Sequence, residues 1–318
     1  MVNIKKVAII GVGNVGASIA FGFINSSLFS EIVLIDINKD KAEGEALDLS
    51  HGVPYSGTQI DVHSGTYDDI KDAAVVIVTS GAAQKVGETR LDLINKNVAI
   101  LRSILKEIRR VQMEGILLLV ANPVDILTHF AVRESGLPKN RVIGSGTVLD
   151  TARLKYGISN EFKVDSRNVH AVIIGEHGDS ELPVDSIANI SSVPMEDFMR
   201  IKGIENWEEK LNEIADHVKN SAYDIIKLKG STYYGIAFAV KKICTAIVND
   251  EHAMLPVSVE LNGEYGLKDI ALSIPSLLGR DGVEFVLEIP LSVSEKRKLL
   301  RSAEQLKEVA SSVKKEGE

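Results

Sequence analysis

The sequence contains little cysteine and little positive charge, and each shortage excludes a class of protein. Cys244 is the single cysteine in 318 residues, which excludes an internal disulfide and is typical of proteins of the reducing cytoplasm. The formal net charge of −8 argues against a nucleic-acid partner, which would bind a basic surface. Four basic residues close together have the spacing expected for the solvent side of a helix rather than for a binding surface: Arg102, Lys106, Arg109 and Arg110.

The chain also lacks a long hydrophobic segment free of polar interruptions, which argues against a membrane span. Residues 7–30 come nearest, because they contain no charged side chain and follow Lys5 and Lys6 in the manner of a signal peptide. Small and polar residues interrupt this segment at Gly11, Gly13, Asn14, Gly16, Ser18, Gly22 and Asn25. A buried strand, a glycine turn and a buried helix explain it better, so we expect no membrane association.

The composition is otherwise ordinary for a globular protein, with 45% hydrophobic and 25% charged residues. Through the first half, apolar β-branched runs alternate with helical patterns, which is typical of a doubly wound parallel sheet. The runs predict strands over residues 4–10, 32–35, 59–62, 75–79, 116–120 and 142–143. The patterns between several of them predict helices over residues 14–28, 39–49 and 91–110.

The second half is less regular. It predicts one strand over residues 168–174, helices over 207–228 and 234–248, and a final helix from Ser292, where Glu295 completes a capping box. We therefore predict an α/β fold. A Rossmann-type doubly wound parallel sheet that binds a cofactor (residues 1–144) is followed by an α+β substrate-binding and catalytic domain (residues 145–318).

A glycine-rich turn between the first strand and the first helix indicates the cofactor. It consists of Gly11, Val12, Gly13, Asn14, Val15 and Gly16. This pattern is weak alone, but here Asp36 ends the next strand about twenty residues later, as in dinucleotide-binding units. The glycines let backbone N–H groups approach a pyrophosphate at a helix N-terminus. Asp36 can accept both ribose hydroxyls and repels a 2′-phosphate, so the sequence predicts NAD rather than NADP.

Two further patterns carry acid–base and anion-binding groups. His177 lies in the segment Gly-Glu-His-Gly-Asp (residues 175–179), which follows a predicted strand. The flanking glycines leave little packing around it, which suits an exposed acid/base more than a core histidine. Asp150 and Arg153 are three residues apart and therefore on one helix face. By itself this spacing fits a simple ion pair as well as a functional pair.

Taken together, these motifs make the sequence similar to the lactate/malate dehydrogenase family, and within it to the L-lactate dehydrogenase branch. The similarity extends from the glycine turn to the last helix. Five motifs carry it in one order, at residues 11–16, 84–90, 122–125, 150–153 and 175–179. Five motifs in a fixed order are far more specific than any one of them, so they favour the functional interpretation of Asp150 and Arg153.

The resemblance implies hydride transfer between NADH and C2 of a small 2-keto acid. His177 would be the acid/base at the keto oxygen, with Asp150 holding its other ring nitrogen. Arg153 would bind the substrate carboxylate through two parallel hydrogen bonds. Arg90 would polarise the carbonyl once the loop of residues 81–89 closes. Asn122 would hold the nicotinamide side and the carbonyl.

Other expected contacts concern the pocket walls and the choice of substrate. The resemblance places Gly81 beside the cofactor and Thr232 and Ile236 in the substrate pocket. Gln84 stands where malate dehydrogenases carry an arginine that pairs with the second carboxylate of oxaloacetate. Because Gln84 is neutral, we expect pyruvate and L-lactate as substrates. Its neighbour Lys85 is a possible stray cation.

The same loop departs from the family pattern in ways that leave two questions open. Val86 replaces a common proline, which frees the backbone and predicts slower or less populated loop closure. Ala82 and Ala83 are small, so larger 2-keto acids stay possible substrates.

A possible effector site and the oligomeric state come from the resemblance alone. Bacterial members often bind fructose 1,6-bisphosphate at a subunit interface through an arginine and a histidine. His170 matches the histidine, and Lys155 stands in place of the arginine, where it would bind phosphate as a point charge. A plain interface role is the alternative. The family's habit predicts a homotetramer.

Three other functions compete with this interpretation. Malate dehydrogenase is disfavoured by Gln84. The NAD-dependent glycosidases share a similar first domain but need a metal with a cysteine ligand. Cys244 lies in an apolar helical stretch and suits the core better, so we expect no metal site. A non-catalytic NAD sensor would not need His177, Asp150 and Arg153 together with Arg90.

Overall fold

The computed structural model describes residues 1–82 and 89–314, so Gln84, Lys85 and Val86 lie outside the described residues. The strands are β1 (Asn3–Ile10), β2 (Glu31–Ile35), β3 (Asp61–Ser64), β4 (Ala73–Val78), β5 (Ile116–Leu119), β6 (Val142–Gly144), β7 (Val169–His170), β8 (Ile173–Ile174), β9 (Leu182–Pro183), β10 (Asn189–Ile190), β11 (Val193–Pro194), β12 (Ala253–Asn262), β13 (Lys268–Gly279) and β14 (Gly282–Val286). The helices are α1 (Asn14–Ile24), α2 (Lys39–Gly52), α3 (Arg90–Val111), α4 (Val124–Glu134), α5 (Val148–Phe162), α6 (Met195–Lys202), α7 (Trp207–Lys229), α8 (Tyr234–Val248) and α9 (Val293–Ser312).

One sheet organises the described part of the chain, with nine strands in the order β14-β13-β12-β6-β5-β4-β1-β2-β3. The segment from β6 to β3 is parallel, and β12, β13 and β14 continue it in antiparallel pairing. The parallel strands read as continuous apolar runs because helices cover both faces of such a sheet; every residue of β4 is buried. The predicted α/β fold is confirmed. The division at residue 144 stays a prediction, since the sheet is continuous across it.

Strand order also identifies the edge at which ligands bind. From β1 the chain passes to β2 and β3 on one side, and it then returns to β4, β5 and β6 on the other. In an open α/β sheet, ligands bind beyond the carboxyl ends of the strands where this order reverses. The loops after β1, β2, β4 and β5 therefore define the expected site.

The elements of the first half lie close to their predicted positions, with two informative differences. Helix α1 ends at Ile24, four residues earlier than predicted, where Ser26 bonds back to the Phe23 carbonyl through its N–H and its hydroxyl. Strand β3 begins at Asp61 rather than residue 59. It pairs with β2 in the register Glu31 to Asp61, so the neighbouring strand rather than the local apolar run sets its start.

In the second half, the long helices are confirmed and the predicted strand at residues 168–174 is wrong as one element. The structure divides it into β7, which pairs with β10, and β8, which pairs with β9. Helix α9 begins as predicted, with the Ser292–Glu295 capping box formed. The sequence analysis specified no strand within residues 253–286, where β12, β13 and β14 lie.

Two apolar cores hold these layers together. The larger lies on both faces of the main sheet, and the smaller joins α5, α6 and α7 to β7 and β10. No helix in residues 1–82 or 89–314 is both long and apolar enough to cross a membrane. The predicted solvated face is wrong for Arg102, whose side chain is 16% exposed and pairs with Glu134 at 3.0 Å.

Candidate active site

A cleft of about 780 Å³ lies at the predicted edge of the sheet. The loops after β1, β2 and β4 line it with residues that the sequence assigned to the cofactor: Gly11, Gly13, Asp36 and Gly81. Several lining residues were not identified from the sequence, among them Ile37, Lys41, Tyr67, Ile100 and Ile104. Ile37 could have been identified from the sequence, because it is an apolar residue directly after Asp36. In the structure its side chain is fully exposed.

The glycine turn has the shape that a pyrophosphate requires. Gly11 has φ of +98°, and a Cβ there would lie 2.5 Å from the Ser80 hydroxyl, so only glycine fits. A Cβ on Gly13 would meet nothing within 4 Å, which leaves open space beside the first turn of α1. That helix has no side-chain cap and no acidic residue in its first turn, so its N–H groups can bind an anion. These residues fit NAD.

Asp36 holds the turn and keeps capacity for a ribose. Its Oδ2 accepts the N–H of Val12 at 2.8 Å, and its Oδ1 accepts the N–H of Asn38 at 2.9 Å. Each carboxylate oxygen has a second lone pair, so both can still accept a hydroxyl group. The carboxylate is thereby fixed at the end of β2, where a 2′-phosphate would meet its charge.

A second segment of the chain joins the glycine turn from the far side. Asn14 donates through Nδ2 to the Ser231 hydroxyl at 2.9 Å. The neighbouring residue Thr232 is half-buried, as is Ile236 in the first turn of α8. The predicted pocket residues therefore lie beside the predicted cofactor turn, although they are more than two hundred positions away in the sequence.

His177 and Asp150 form a close pair. His177 Nδ1 lies 2.6 Å from Asp150 Oδ2, and the aspartate side chain is 3% exposed. The histidine side chain is 25% exposed, so it is more covered than the flanking glycines predicted. An ionised carboxylate can only accept, so Nδ1 carries the hydrogen. No group among residues 1–82 and 89–314 bonds Nε2, which is the nitrogen left for a substrate.

The electrostatics of this pair favour the imidazolium form. Burial lowers the pKa of His177, but the charge of Asp150 and its hydrogen bond outweigh this, and the pKa rises to about 9. Burial alone would raise the pKa of Asp150. The charges and hydrogen bonds of His177 and Arg153 reverse this and hold that pKa below its usual value. At neutral pH the site therefore holds a proton on His177.

Arg153 is both an ion-pair partner and a candidate ligand for a carboxylate. Its Nη1 donates to Asp150 Oδ1 at 2.9 Å, and its side chain is 16% exposed. The two interpretations that the sequence left open are thus compatible. In the described part of the chain this is the one side-chain contact of the guanidinium, so Nε and Nη2 remain for a second, bidentate partner.

Arg90 is the first residue of α3 and reaches the carboxylates beside His177. Its Nη2 lies 3.1 Å from Glu176 Oε1, and its Nη1 lies 3.5 Å from Asp179 Oδ2. Its side chain is 62% exposed. The structure therefore brings Arg90 to the same loop as His177. Gln84, which the sequence assigned to substrate choice, lies outside the described residues.

Asn122 is exposed in the loop between β5 and α4. A residue that the sequence analysis missed ties this loop to the one after β4: Asn97 donates to the Asn122 carbonyl at 2.8 Å and accepts the Ala82 N–H at 2.8 Å. A signal was available, because Asn97 is a polar residue in the apolar stripe of α3, between Ile94 and Leu101.

Asp125 is a second missed residue, although the sequence analysis quoted its motif. It lies in the first turn of α4, is 2% exposed, and contacts the His177 backbone. The effector candidates are placed elsewhere, on packed elements of the second half. Lys155 is half-buried in α5, where burial lowers its pKa, and His170 is exposed in β7 against the same helix.

Comparison with known proteins covers both halves of the chain. The family model described as lactate/malate dehydrogenase, NAD binding domain, matches residues 5–144. The model described as lactate/malate dehydrogenase, alpha/beta C-terminal domain, matches residues 147–316.

Individual relatives match over nearly the full length. L-lactate dehydrogenase 1 of Clostridium acetobutylicum is 48% identical over 308 residues, which cover 97% of this chain and 98% of the relative. L-lactate dehydrogenase of Acetivibrio thermocellus is also 48% identical, with 96% of each chain covered. The crystal structure of the minor L-lactate dehydrogenase of Enterococcus mundtii with ligands bound superimposes with a TM-score of 0.95 at 44% identity, covering 98% of this chain and 99% of that one. The crystal structure of a lactate dehydrogenase from a deep-sea metagenome library also superimposes with a TM-score of 0.95 at 44% identity, covering 98% of this chain and 99% of that one.

Proposed function

The chain belongs to the lactate/malate dehydrogenase family, and we propose that it is an NAD-dependent L-lactate dehydrogenase, which interconverts pyruvate and L-lactate. The observation that carries the proposal is the His177–Asp150 pair, 2.6 Å apart, with Arg153 bonded to the same aspartate. Asp125 joins His177 to the segment after Asn122, and Asn97 joins Asn122 to Ala82, next to the cleft whose glycine turn fits NAD. An acid/base, its orienting carboxylate and an anchor for an anion are the groups that reduction of a 2-keto acid requires.

The proposed roles follow from the charges at the site. When bound, the nicotinamide supplies or accepts the hydride at C2. The His177 imidazolium donates from Nε2 to the keto oxygen and passes its proton to that oxygen in reduction. Asp150 stabilises the imidazolium and fixes its tautomer. Arg153 binds the substrate carboxylate through Nε and Nη2, which places C2 beside the cofactor cleft.

Arg90, Asn122 and Thr232 complete the proposed pocket. To polarise the carbonyl, Arg90 must leave Glu176 and Asp179, whose carboxylates it contacts in this structure. The Asp179 contact is exposed on both sides and therefore weak, whereas Glu176 is 10% exposed and is the partner that Arg90 must chiefly leave when the loop closes. Asn122 would act from the loop that Asn97 holds, and Thr232 from the segment that Asn14 holds through Ser231.

The experiment that tests this function is steady-state oxidation of NADH with pyruvate, with the product assigned by chirality. We expect saturable turnover that yields the L enantiomer of lactate, and faster turnover with pyruvate than with a branched 2-keto acid or oxaloacetate. Turnover confined to oxaloacetate would identify a malate dehydrogenase, and a product of the D configuration would overturn the proposed binding geometry.

Cofactor choice gives a separate prediction. Wild-type protein should strongly prefer NADH to NADPH, because the fixed carboxylate of Asp36 repels a ribose phosphate. Asp36→Ser should relax this preference, since Lys41 lines the same cleft and can then bind the phosphate. The measurement is kcat/KM with each cofactor. As a matched control, Asp36→Ser combined with Lys41→Ala should lose the gain with NADPH. Similar efficiency with both cofactors in wild type would disprove the role of Asp36.

Self-association belongs to the proposal, with a homotetramer as the state expected of the family. Helices α1, α7 and α8 expose large apolar side chains that a monomer would leave in water, namely Phe21, Tyr223, Ile226, Tyr234 and Phe238. Exposed apolar patches of this kind are typical of subunit interfaces. A cytoplasmic location is likewise proposed, supported by the single cysteine.

The proposed effector is fructose 1,6-bisphosphate, bound through Lys155 and His170. At slightly acid pH and low salt, it should lower the KM for pyruvate or tighten the tetramer. His170→Ala should abolish the response. His252→Ala, which removes another exposed histidine, is the matched control and should keep it. If millimolar effector changes neither the KM for pyruvate nor the stability of the wild-type tetramer, Lys155 and His170 would be assigned to a subunit interface that binds no effector.

A further inference from the structure

Asp125 touches neither the proposed substrate nor the cofactor cleft, yet its carboxylate contacts the main chain of His177. We propose that Asp125, held by Ser258, is a positioning residue that places His177 and favours its protonated form. The proposal rests on the proposed function, because it concerns the same proton transfer. Its test includes a measurement on His177 that does not depend on turnover.

Both carboxylate oxygens of Asp125 accept hydrogen bonds. Oδ2 accepts the backbone N–H of His177 at 2.7 Å, and Oδ1 accepts the hydroxyl of Ser258 at 2.6 Å. Asp125 is 2% exposed and Ser258 is fully buried. A buried carboxylate is costly unless such bonds satisfy it, so this arrangement is a built site rather than a surface contact.

Three separate segments meet at this carboxylate. Asp125 is in the first turn of α4, the helix that begins directly after Asn122 and Pro123. Ser258 is in β12, and His177 is in the loop after β8. The Asp125 side chain therefore links the segment on the cofactor side of the site to the segment that carries the acid/base.

Main-chain bonds to Ser273 hold the loop at Gly175, and at His177 the backbone N–H is held by the Asp125 carboxylate instead. Gly175 has φ of +89°, and a glycine loses more conformational freedom on folding than other residues, so an anchor just after it helps to order the histidine. Asp150 holds the imidazole ring of His177, while Asp125 holds its main chain. Two carboxylates from two helices thus restrain the histidine at both ends.

The charge of Asp125 acts on His177 as well. Burial raises the pKa of Asp125 to about 6, against the lowering effect of the bonds from Ser258 and His177, so the group is ionised at pH 7 and above. The groups that face His177 are Asp150 from α5, Asp125 from α4 and Glu181 from the segment before β9. All three favour the imidazolium, and Asp125 follows Asp150 in effect.

Replacing Asp125 with asparagine separates the effect of its charge from the effect of its hydrogen bonds. Asp125→Asn keeps the size of the side chain, and its amide can still accept the His177 N–H and donate to the Ser258 hydroxyl. The variant therefore loses the charge and keeps the anchor. Asp125→Ala loses both. Ser258→Ala keeps the carboxylate but removes one of its donors. Ser276→Ala, which removes a buried hydroxyl bonded to Ile274, is the matched control.

Two measurements test the proposal on each variant. The first is the pH profile of kcat/KM for pyruvate reduction, which requires protonated His177 and therefore falls as pH rises through its pKa. The second is the rate at which diethyl pyrocarbonate modifies His177, followed by peptide mass spectrometry across pH. Only the neutral imidazole reacts, so this midpoint reports protonation without any turnover.

For Asp125→Asn we expect both midpoints to move to lower pH by about one unit, as for the loss of a nearby opposite charge. At pH 6 its kcat should stay within about threefold of wild type. Asp125→Ala should also lose about tenfold or more in kcat, because the loop is no longer held, while the Kd for NADH is unchanged. Ser258→Ala should move the midpoints in the same direction by less, and Ser276→Ala should not move them.

The outcomes separate the two proposals. Unchanged midpoints in Asp125→Asn would overturn the positioning role. If that variant does not fold, Ser258→Ala decides, and midpoints equal to those of Ser276→Ala would overturn it. If wild type does not reduce pyruvate, the proposed function fails, but the modification midpoint of His177 still tests the effect of Asp125.

Discussion

Replacing His177 with asparagine is expected to lower kcat for pyruvate reduction by about 10²–10⁴-fold, the usual contribution of a positioned acid/base. The asparagine amide can still donate to Asp150, so the carboxylate keeps a partner. The asparagine has no proton that titrates and ends short of the position of the histidine Nε2, so the keto oxygen receives no proton. The measurement is kcat at saturating pyruvate, together with the Kd for NADH, which should change little.

The matched control is His129→Asn. His129 forms a similar pair with Glu260, with Nδ1 and Oε2 3.0 Å apart, but Glu260 lies in β12 and pairs also with Arg133 rather than with a residue of the proposed site. Its replacement should leave kcat within about threefold of wild type. More than a tenth of the wild-type rate in His177→Asn would contradict the assignment of the acid/base.

Wild-type pH dependence follows from the same assignment. Because Asp150 raises the pKa of His177 to about 9, pyruvate reduction should be sustained through neutral pH and fall as pH rises beyond that value. Lactate oxidation needs the neutral imidazole as a base and should therefore increase over the same range. Whether the rate falls or rises with pH shows whether His177 acts as a proton donor or as a proton acceptor in that direction of the reaction.

The second large effect concerns the choice between pyruvate and oxaloacetate. Wild type should prefer pyruvate by roughly a hundredfold or more in kcat/KM, because an unpaired carboxylate in a closed pocket costs several kcal/mol and each ~1.4 kcal/mol is a factor of ten. In the proposed complex, His177 and Arg90 contact the keto oxygen and Arg153 binds the first carboxylate. No cation among them is left for the second carboxylate of oxaloacetate.

Gln84→Arg should reverse this preference. The new guanidinium would bind the second carboxylate of oxaloacetate in bidentate fashion and would stand unpaired opposite the methyl group of pyruvate. Lys85→Gln is the control, because it removes the neighbouring cation and should leave the wild-type ratio unchanged. The measurement is kcat/KM for both acids on all three proteins. A ratio that Gln84→Arg does not alter, or a wild type that prefers oxaloacetate, would remove Gln84 from the choice of substrate.

Interpretation of the site from sequence was strongest where one short segment carries the whole chemistry. The turn at Gly11 and Gly13 and the acid at Asp36 could be assigned because the spacing of glycines and one carboxylate is a local property. The cleft residues Lys41 and Ile104 could not, since nothing in their own segments marks them as neighbours of the turn.

The sequence by itself determined the parallel half of the sheet, the cofactor turn and the candidate for the acid/base. Apolar runs, helical periodicity and the glycines of a tight turn can each be recognised within a segment of about twenty residues. The family resemblance implied the Asp150 partner of His177, and tertiary structure alone decided the other groups around it. Asp150 lies 27 positions away from it and Asp125 52 positions away, while Ser258 lies 133 positions beyond Asp125. Such contacts depend on which strands pair and how helices pack over them, and local patterns do not encode that. The same reason explains why residues 168–174 form two strands, since each half pairs with a different partner.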